Sequence, residues 1–323
     1  MSAPSTTPSS PIGVHLRRAD SASTLAFARK ADAAGIGTGW LTLGGPAFDS
    51  LTLFGATATA TEQLHLGTSI VPAFIQHPVK LATQARTIEE LAPGRLRLGI
   101  GTSHGPSMGT LGIPIDRPLD RLREYLRVIR PLLHDGAVEF AGDFYDVKLT
   151  APNALGTPVL VSALRENAWR LAGELSDGGI SWVSPLDYLV DQMKPVLLAG
   201  AAAAGRAAPP LIAHVSIAPG VSREEARALG REQLAVYPRL PFYRAMFADS
   251  GWPLAEGDTE WPTDLLDHLV VSGSDDEIGE TLRHWLDRGV DELLVSPLLP
   301  AGAGTQQDDR VLAILAAAAS SGR

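Results

Sequence analysis

The segment RLRLGIGTSHGPSM gathers glycines, small hydroxyl side chains and a histidine in one place. Its first half, Arg95–Ile100, predicts a short buried strand, and Gly101–Met108 predicts the loop that follows. Such a junction presents backbone N–H groups and small polar side chains, here Thr102 and Ser103, to a ligand. An imidazole with an ordinary pKa of about 6.5 donates or accepts a proton near neutral pH. His104 is therefore the candidate acid or base of this loop.

Composition excludes several other kinds of site. The chain has no cysteine, so disulfides, thiolate nucleophiles and cysteine metal sites are excluded. No HxH or HExxH pair and no close Ser-His-Asp order occur, and we predict no metal site. A net charge of −9 argues against nucleic acid as a partner and no polybasic membrane patch stands out. The predicted strand ends, which include His15, are otherwise poor in acid–base groups, which suits a protein that binds a cofactor and lets it do the chemistry.

The elements that must position these residues alternate between strands and helices. We predict strands over Ile12–Leu16, Thr38–Leu43, Leu64–Val71, Arg95–Ile100, Pro158–Ser162, Gly179–Val183, Leu211–Ala218 and Leu293–Ser296. Helices are predicted over Ser21–Ala34, Asp49–Ala60, His77–Leu91, Asp116–Leu133, Arg165–Leu175, Leu186–Ala204 and Val311–Ala319, with two more opened by the capping boxes Ser222/Glu225 and Ser274/Glu277.

About eight alternating units without a composition break predict an α/β fold, a single (β/α)8 barrel. A doubly wound sheet is the alternative, but no GxGxxG follows the first strand. Two segments do not fit the repeat and are predicted as insertions: a hairpin within Asp135–Thr150 and an aromatic-rich stretch at Tyr237–Pro262.

The domain organisation follows from the two ends of the chain. Residues 1–11 carry neither basic residues nor an apolar run, so we predict a disordered tail there and one barrel domain over 12–323. Apolar stretches are interrupted well before the roughly 18 residues of a membrane span, so we expect a protein of the cytoplasm that does not bind membranes.

Five motifs together resemble the bacterial luciferase-like superfamily. They are LGTSIVP, HP, PGRLRLGIGTSHGP, AGDFYDV and LAGELSDGGISW, spread between Leu66 and Trp182. More narrowly, GIGTSHGPSM followed by DRPLDRLREYL and RPLL is similar to the branch of oxidoreductases that use the deazaflavin coenzyme F420. The resemblance extends from Ile12 to about Leu299 and implies a luciferase-like barrel.

The resemblance also implies roles for residues near the coenzyme ring. Ser69, Ile70 and Pro72 match a segment in which a non-prolyl cis peptide at Ser69–Ile70 bulges against the deazaflavin; from the residues alone it is an ordinary buried strand end. Thr102 and the Ser103 backbone would face the ring's polar edge or its side chain. His104 lies where sugar-phosphate dehydrogenases of this branch have a glutamate acid, so it is either catalytic or a coenzyme contact.

The coenzyme's phosphate is expected at Leu164–Ala168, through Leu164, Arg165, Asn167 and Ala168, where a strand leads into a helix start. Relatives usually have glycines here, and the charge of Arg165 could compensate for their absence; the alternative is a plain helix start.

A second departure from the family follows the second strand. Leu43-Gly44-Gly45-Pro46 stands where many relatives have an acidic residue and a base histidine, which disfavours a sugar-phosphate dehydrogenase. His15 and His77 remain as substitutes, although His15 can be a satisfied pocket residue and His77 a helix cap.

The resemblance implies an F420-dependent oxidoreductase that transfers a hydride between C5 of the deazaflavin and a small organic substrate. The alternatives are an FMN-dependent monooxygenase and a barrel that binds such a cofactor without catalysis. We expect aromatic side chains to line an apolar pocket, with candidates Trp40, Phe74, Trp182, Tyr243, Phe247 and Trp252. Relatives dimerise through helices that correspond to Ala56–Ala60, with its Thr57 and Thr59, and Val79–Ala85, so we expect a homodimer.

Overall fold

The computed structural model describes residues 8–43 and 48–320. Most of the predicted tail and the segment Gly44–Pro46 lie outside the described residues. Near the start of the described chain, Ser10 Oγ accepts a hydrogen bond from the Ile12 N–H (3.2 Å) and the Pro11 carbonyl accepts one from Leu293 N–H (2.8 Å).

The described chain forms a closed barrel of parallel strands, as predicted. The twelve strands are β1 Ile12–His15, β2 Thr38–Leu41, β3 His65–Thr68, β4 Val71–Pro72, β5 Leu96–Gly101, β6 Ala137–Ala141, β7 Asp146–Thr150, β8 Val159–Ser162, β9 Gly179–Ile180, β10 Leu211–Pro219, β11 Val270–Gly273 and β12 Glu292–Pro297. Eight of them run around the barrel in the order β1-β2-β3-β5-β8-β9-β10-β12, and β12 pairs with β1 to close it. In this ring β3, β5 and β8 lie opposite β10, β12 and β1.

Helices surround the barrel and alternate with its strands. They are α1 Ser21–Ala33, α2 Ser50–Ala60, α3 Pro78–Leu91, α4 Gly105–Gly109, α5 Pro118–His134, α6 Glu166–Leu175, α7 Lys194–Ala203, α8 Arg223–Gln233, α9 Pro241–Asp249, α10 Thr263–Leu269, α11 Asp275–Asp287 and α12 Thr305–Ser320. No helix of the described residues is both long enough and apolar enough to cross a membrane.

Two of the predicted elements differ from the structure in a way that proline explains. Gly101–Met108 is not all loop, because α4 begins at Gly105 with Pro106 in its first turn, where a missing N–H costs nothing. The long helix predicted over Leu186–Ala204 is divided into a π-helical turn at Tyr188–Met193 and α7, whose first turn holds Pro195.

Side chains fill the amino-terminal end and the centre of the barrel interior, which leaves the carboxyl ends of the strands for a site. Trp40 fills the centre: a Cβ at Gly13 or Gly67 would lie within 2.4 Å of its ring. Around it pack Leu160, Ile180, Ile212 and Leu294. At the amino-terminal end Arg97 makes a bidentate ion pair with Glu292, and Arg97 also donates to Thr38. Because side chains occupy the centre and the amino-terminal end of the barrel, a ligand site is expected at the carboxyl ends of the strands.

The predicted insertions are both ordered elements. The hairpin β6–β7 pairs in antiparallel register from Ala137 with Thr150 to Ala141 with Asp146. The aromatic-rich stretch begins with a 3-10 turn at Tyr237–Arg239 and continues into α9. Contacts of Tyr237 and Tyr243 with side chains of the barrel loops place this second insertion over the mouth of the barrel.

Candidate functional site

The carboxyl ends of the strands bring the predicted site residues to one end of the barrel. Side chains alternate along a strand, so the residues two positions beyond the central Trp40 layer also point inward. They include Thr42, Trp182 and His214. Space here is short: a Cβ on Gly101 would lie 2.0 Å from Ser162 Oγ and 3.1 Å from Ile70 Cδ1. Glycine at 101 thus lets the ends of β4, β5 and β8 approach one another.

The Ser69–Ile70 peptide is cis, which confirms that part of the prediction. Thr42 Oγ1 donates to the Ser69 carbonyl (2.8 Å), and the Ile70 carbonyl accepts from Leu43 N–H (3.1 Å). The Ile70 side chain is half-buried and packs on the Trp40 cluster, and Pro72 pairs with Gly101. An apolar side chain thus faces the mouth where the segment meets the end of β5.

The loop after β5 holds Thr102, Ser103 and His104 side by side, all half-buried. Ser103 has a positive φ of 60°, a left-handed conformation uncommon outside glycine, so the loop turns sharply before α4. The His104 imidazole has no hydrogen-bond partner among residues 8–43 and 48–320, although the His104 carbonyl accepts from Met108 N–H (3.0 Å). Its ring lies edge-on to Tyr237 and Tyr243, with centroids 6.2 and 5.7 Å away, and burial lowers its pKa. The His104 ring therefore packs against two tyrosine rings, and its two nitrogens have no hydrogen-bond partner in the described chain.

An aromatic cluster closes the mouth above the barrel. We use this name for Trp182, Tyr237 and Tyr243. Trp182 Nε1 donates to the Tyr237 hydroxyl (2.5 Å), and the two tyrosine rings are 4.7 Å apart. Burial raises the pKa of Tyr237 to about 12. The insertion thus supplies two of the three rings, and the hydrogen bond fixes the tilt of the indole.

Two histidines contact Trp182: His214 on β10, which lies opposite β3, and His15 on β1, whose Nε2 is 3.4 Å from Thr42 Oγ1. His214 stacks on the indole with centroids 3.9 Å apart and 27° between planes, and His15 approaches it edge-on at 6.3 Å. Burial lowers the pKa of His214 to about 3, with a smaller effect from His15. Burial, and then the charges of Arg18 and Arg17, lowers that of His15 to about 4. Both imidazoles are neutral at pH 7.

The segment Leu164–Ala168 leads from β8 into the first turn of α6. No side chain of the described residues caps this helix, so the first backbone N–H groups, at Glu166 and Asn167, face outward unpaired. Arg165 does not stand free: its Nε donates to Asp249 Oδ2 of α9 (2.6 Å), and the two side chains are 47% and 39% exposed. The Leu164 carbonyl accepts from the Tyr188 hydroxyl (3.2 Å). This corner offers N–H groups and a guanidinium that is already paired.

Several predicted pocket residues lie elsewhere. Trp40 is wholly buried in the barrel centre, and Phe247 is buried against Trp261. Trp252 packs on His268, away from the mouth, so of the six aromatic candidates only Trp182 and Tyr243 join the aromatic cluster. Phe74 is buried beneath the guanidinium of Arg121 (4.4 Å). His77 caps α3, accepting from Val79 N–H (3.3 Å), which is the structural alternative stated for it. Gly44–Pro46 lie outside the described residues.

Three residues of the site were missed in the sequence. His214 is the one titratable residue in the otherwise mostly apolar run LIAHVSIA, and that interruption was the available signal. Tyr237 and Asp249 were inside the predicted insertion, but nothing local tells which of its residues turn towards the barrel. Their partners, Trp182 and Arg165, are 55 and 84 residues distant in the chain.

Comparison with known sequences gives consistent results. A profile of the luciferase-like monooxygenase family matches residues 3–292. An uncharacterized protein of Mycobacterium tuberculosis is 30% identical over 270 residues, which is 73% of this chain and 79% of that protein. An F420-dependent glucose-6-phosphate dehydrogenase of Nakamurella multipartita is 29% identical over 274 residues, 79% and 78% of the two chains.

Solved structures share the fold. An F420-dependent secondary alcohol dehydrogenase, in complex with an F420-acetone adduct, superposes with a TM-score of 0.75 at 17% identity and covers 94% of this chain and 98% of its own. The oxygenating constituent of 3,6-diketocamphane monooxygenase from Pseudomonas putida, in complex with FMN, gives 0.71 at 20% identity, with 95% of each chain covered. These similarities confirm the predicted luciferase-like barrel.

Proposed function

Because the chain belongs to the luciferase-like monooxygenase family, we propose that it is an oxidoreductase that binds coenzyme F420 at the barrel mouth and acts on a small organic substrate. The observation that carries the proposal is the set of groups at the ends of β4, β5 and β8. They combine a half-buried apolar side chain, small polar side chains and unpaired helix N–H groups at adjacent strand ends.

The residues present fit such a coenzyme. The Ser69–Ile70 segment and Pro72 would lie against the ring, and Thr102 and the Ser103 backbone would face its polar edge or its side chain. Leu164, Arg165, Asn167 and Ala168 would hold the phosphate, since the N-terminus of α6 attracts anions. When bound, the deazaflavin supplies hydride transfer at its C5.

The rest of the mouth would serve the substrate. The aromatic cluster excludes water, which strengthens electrostatic interactions inside the site and protects the reacting groups. His104 would hold or move a proton at an imidazole nitrogen, because that ring is neutral, half-buried and without a protein partner. Neither Asp249 nor Arg165 is a candidate acid or base, since each is paired with the other.

The test is a titration of the purified protein with F420 and, separately, with FMN. We expect saturable binding of F420, seen by fluorescence, and substrate-dependent loss or recovery of its visible absorption. FMN binding with FMN-stimulated oxygen uptake, and no F420 binding, would replace this proposal with a flavin monooxygenase. Binding without turnover over a broad panel of alcohols and ketones would indicate a non-catalytic barrel.

We also propose a homodimer that uses the outer faces of α2 and α3. Thr57 and Ala58 are buried within their own chain, so the contact would involve the exposed Ala56 and Thr59 of α2 and Thr83 of α3. Their small side chains allow close approach between helices. Light scattering at micromolar concentration should give about twice the 34.1 kDa mass of one chain; a single-chain mass would refute the dimer.

A further inference from the structure

His214 has one ring nitrogen in use and one without a partner. Its Nδ1 accepts a hydrogen bond from the Val183 N–H (3.2 Å), and the side chain is only 3% exposed. A neutral imidazole carries a single proton, so an accepting Nδ1 leaves that proton on Nε2. Within residues 8–43 and 48–320 no group accepts from Nε2. This N–H is therefore free to donate to a water molecule or a ligand.

The ring cannot easily turn to find another partner. Trp182 stacks on its face at 3.9 Å, and that indole is itself held by the Tyr237 hydroxyl. Val183 has a positive φ of 49°, which is rare for a β-branched residue, and its N–H is the group that His214 accepts from. The protein thus fixes both the tautomer and the orientation of the imidazole.

The His214 side chain points into the barrel, two residues beyond the central layer. β10, which carries His214, lies opposite β3, and the Ser69–Ile70 segment follows β3. On β12, next to β10, Ser296 Oγ is buried without a hydrogen-bond partner in the described chain. Two unpaired polar groups therefore lie across the mouth from the proposed coenzyme residues.

We propose that His214 Nε2–H is the hydrogen-bond donor to the oxygen of a neutral carbonyl or hydroxyl substrate. This inference rests on the proposed function and adds the chemical class of the substrate and the residue that orients it. An uncharged N–H donor suits a neutral oxygen.

Two substitutions separate this role from a structural one. His214→Asn keeps an acceptor near Nδ1 for the Val183 N–H but removes the donor at Nε2. His214→Gln places an amide N–H near Nε2 and gives up the Nδ1 acceptor. If His214 only supports the fold, His214→Asn should be tolerated and His214→Gln should lower stability. If His214 binds the substrate, His214→Asn should weaken ketone binding more than His214→Gln does.

The experiment uses the protein loaded with oxidised coenzyme and titrated with cyclohexanone, a neutral carbonyl compound that is not reduced under these conditions. In wild-type protein labelled with 15N-histidine, we expect the His214 proton on Nε2 and a change in the Nε2 resonance on adding the ketone. We expect His214→Asn to raise the cyclohexanone Kd by about 5- to 100-fold and His214→Gln by less than about 3-fold. The coenzyme Kd should not change in either variant.

Each other outcome has a definite meaning. A proton on Nδ1, a silent Nε2 resonance, or an unchanged ketone Kd in His214→Asn overturns the proposal while leaving the coenzyme assignment intact. The wild-type NMR measurement decides the question even if a variant does not fold. Absence of coenzyme binding in the wild-type protein would instead refute the proposed function, and this inference with it.

Discussion

Arg165→Ala and Asp249→Asn should change coenzyme affinity in opposite directions. The Arg165 guanidinium is bound to Asp249 at 2.6 Å, yet both side chains keep more than a third of their surface exposed. The carboxylate is therefore a competitor that an incoming phosphate must displace. Removing the guanidinium weakens phosphate binding, and removing the charge of the competitor strengthens it.

The size of each effect follows from the exposure of the pair. A charge-assisted hydrogen bond contributes about 1.5–3 kcal/mol, so Arg165→Ala should raise the coenzyme Kd by roughly 10- to 150-fold. Breaking an exposed ion pair costs about 0.2–1 kcal/mol, so Asp249→Asn should lower the Kd by no more than about 5-fold. Both effects should shrink as salt rises, because exposed charges are screened.

Fluorescence titration of F420 at low and at physiological ionic strength measures both variants. Arg170→Ala is the matched control, since Arg170 lies one turn further along α6 and is paired with Glu166 in an exposed i,i+4 pair. It should leave the Kd nearly unchanged. If Arg165→Ala binds as tightly as wild type at low salt, the phosphate lies elsewhere; weaker binding by Asp249→Asn would show that the carboxylate supports the site rather than competing for it.

Three further predictions concern the rest of the barrel. His104→Ala should lower kcat by about 10²- to 10⁴-fold with little change in coenzyme Kd if the imidazole moves a proton; a raised Kd with normal kcat would make it a binding residue only. Glu292→Ala leaves the buried Arg97 charge unpaired and should lower the free energy of unfolding in urea by about 3–5 kcal/mol, while Glu139→Ala, in an exposed hairpin pair, should cost less than about 1 kcal/mol. The free energy of unfolding should fall as pH drops from about 6.5 towards 4, because His214, with a folded pKa of about 3, stays neutral while the unfolded chain gains a proton there. At pH 5 the loss is on the order of 1–2 kcal/mol. His214→Asn should remove that part of the pH dependence measured by urea denaturation.

The barrel was predictable because its signals are local. Short apolar strands and helix caps each depend on a few neighbouring residues, and the alternation of strands with helices already indicates a parallel closed sheet. The capping boxes predicted at Ser222 and Ser274 form as expected. The cis peptide was predictable only through the family resemblance, since nothing local distinguishes Ser69–Ile70 from an ordinary strand end.

The site was less predictable because its decisive contacts are between distant residues. Arg165 looked like an available cation, and only the fold brings Asp249 against it. Trp40 looked like a pocket aromatic, but two glycines on the neighbouring strands, Gly13 and Gly67, make room for it in the barrel centre. Whether an aromatic side chain lines a pocket or fills a core depends on which neighbours lack a side chain, and that requires the strand register.

The strand order divides the mouth into two chemically different halves. The ends of β3, β5 and β8 carry an apolar side chain, small hydroxyls and backbone N–H groups, which suit a large planar coenzyme with an anionic tail. The facing strands β10, β12 and β1 carry three uncharged polar groups: His214, Ser296, whose Oγ has no partner in the described chain, and His15, whose Nε2 is 3.4 Å from Thr42 Oγ1. His104 and the tyrosines of the insertion lie above both halves. A substrate held between them would meet a hydrogen-bond donor on the side away from the coenzyme and a candidate proton donor from above. In these proposals the substrate's hydrogen-bond donor, His214, and the coenzyme residues are on different strands, which is why His214 variants should leave the coenzyme Kd unchanged.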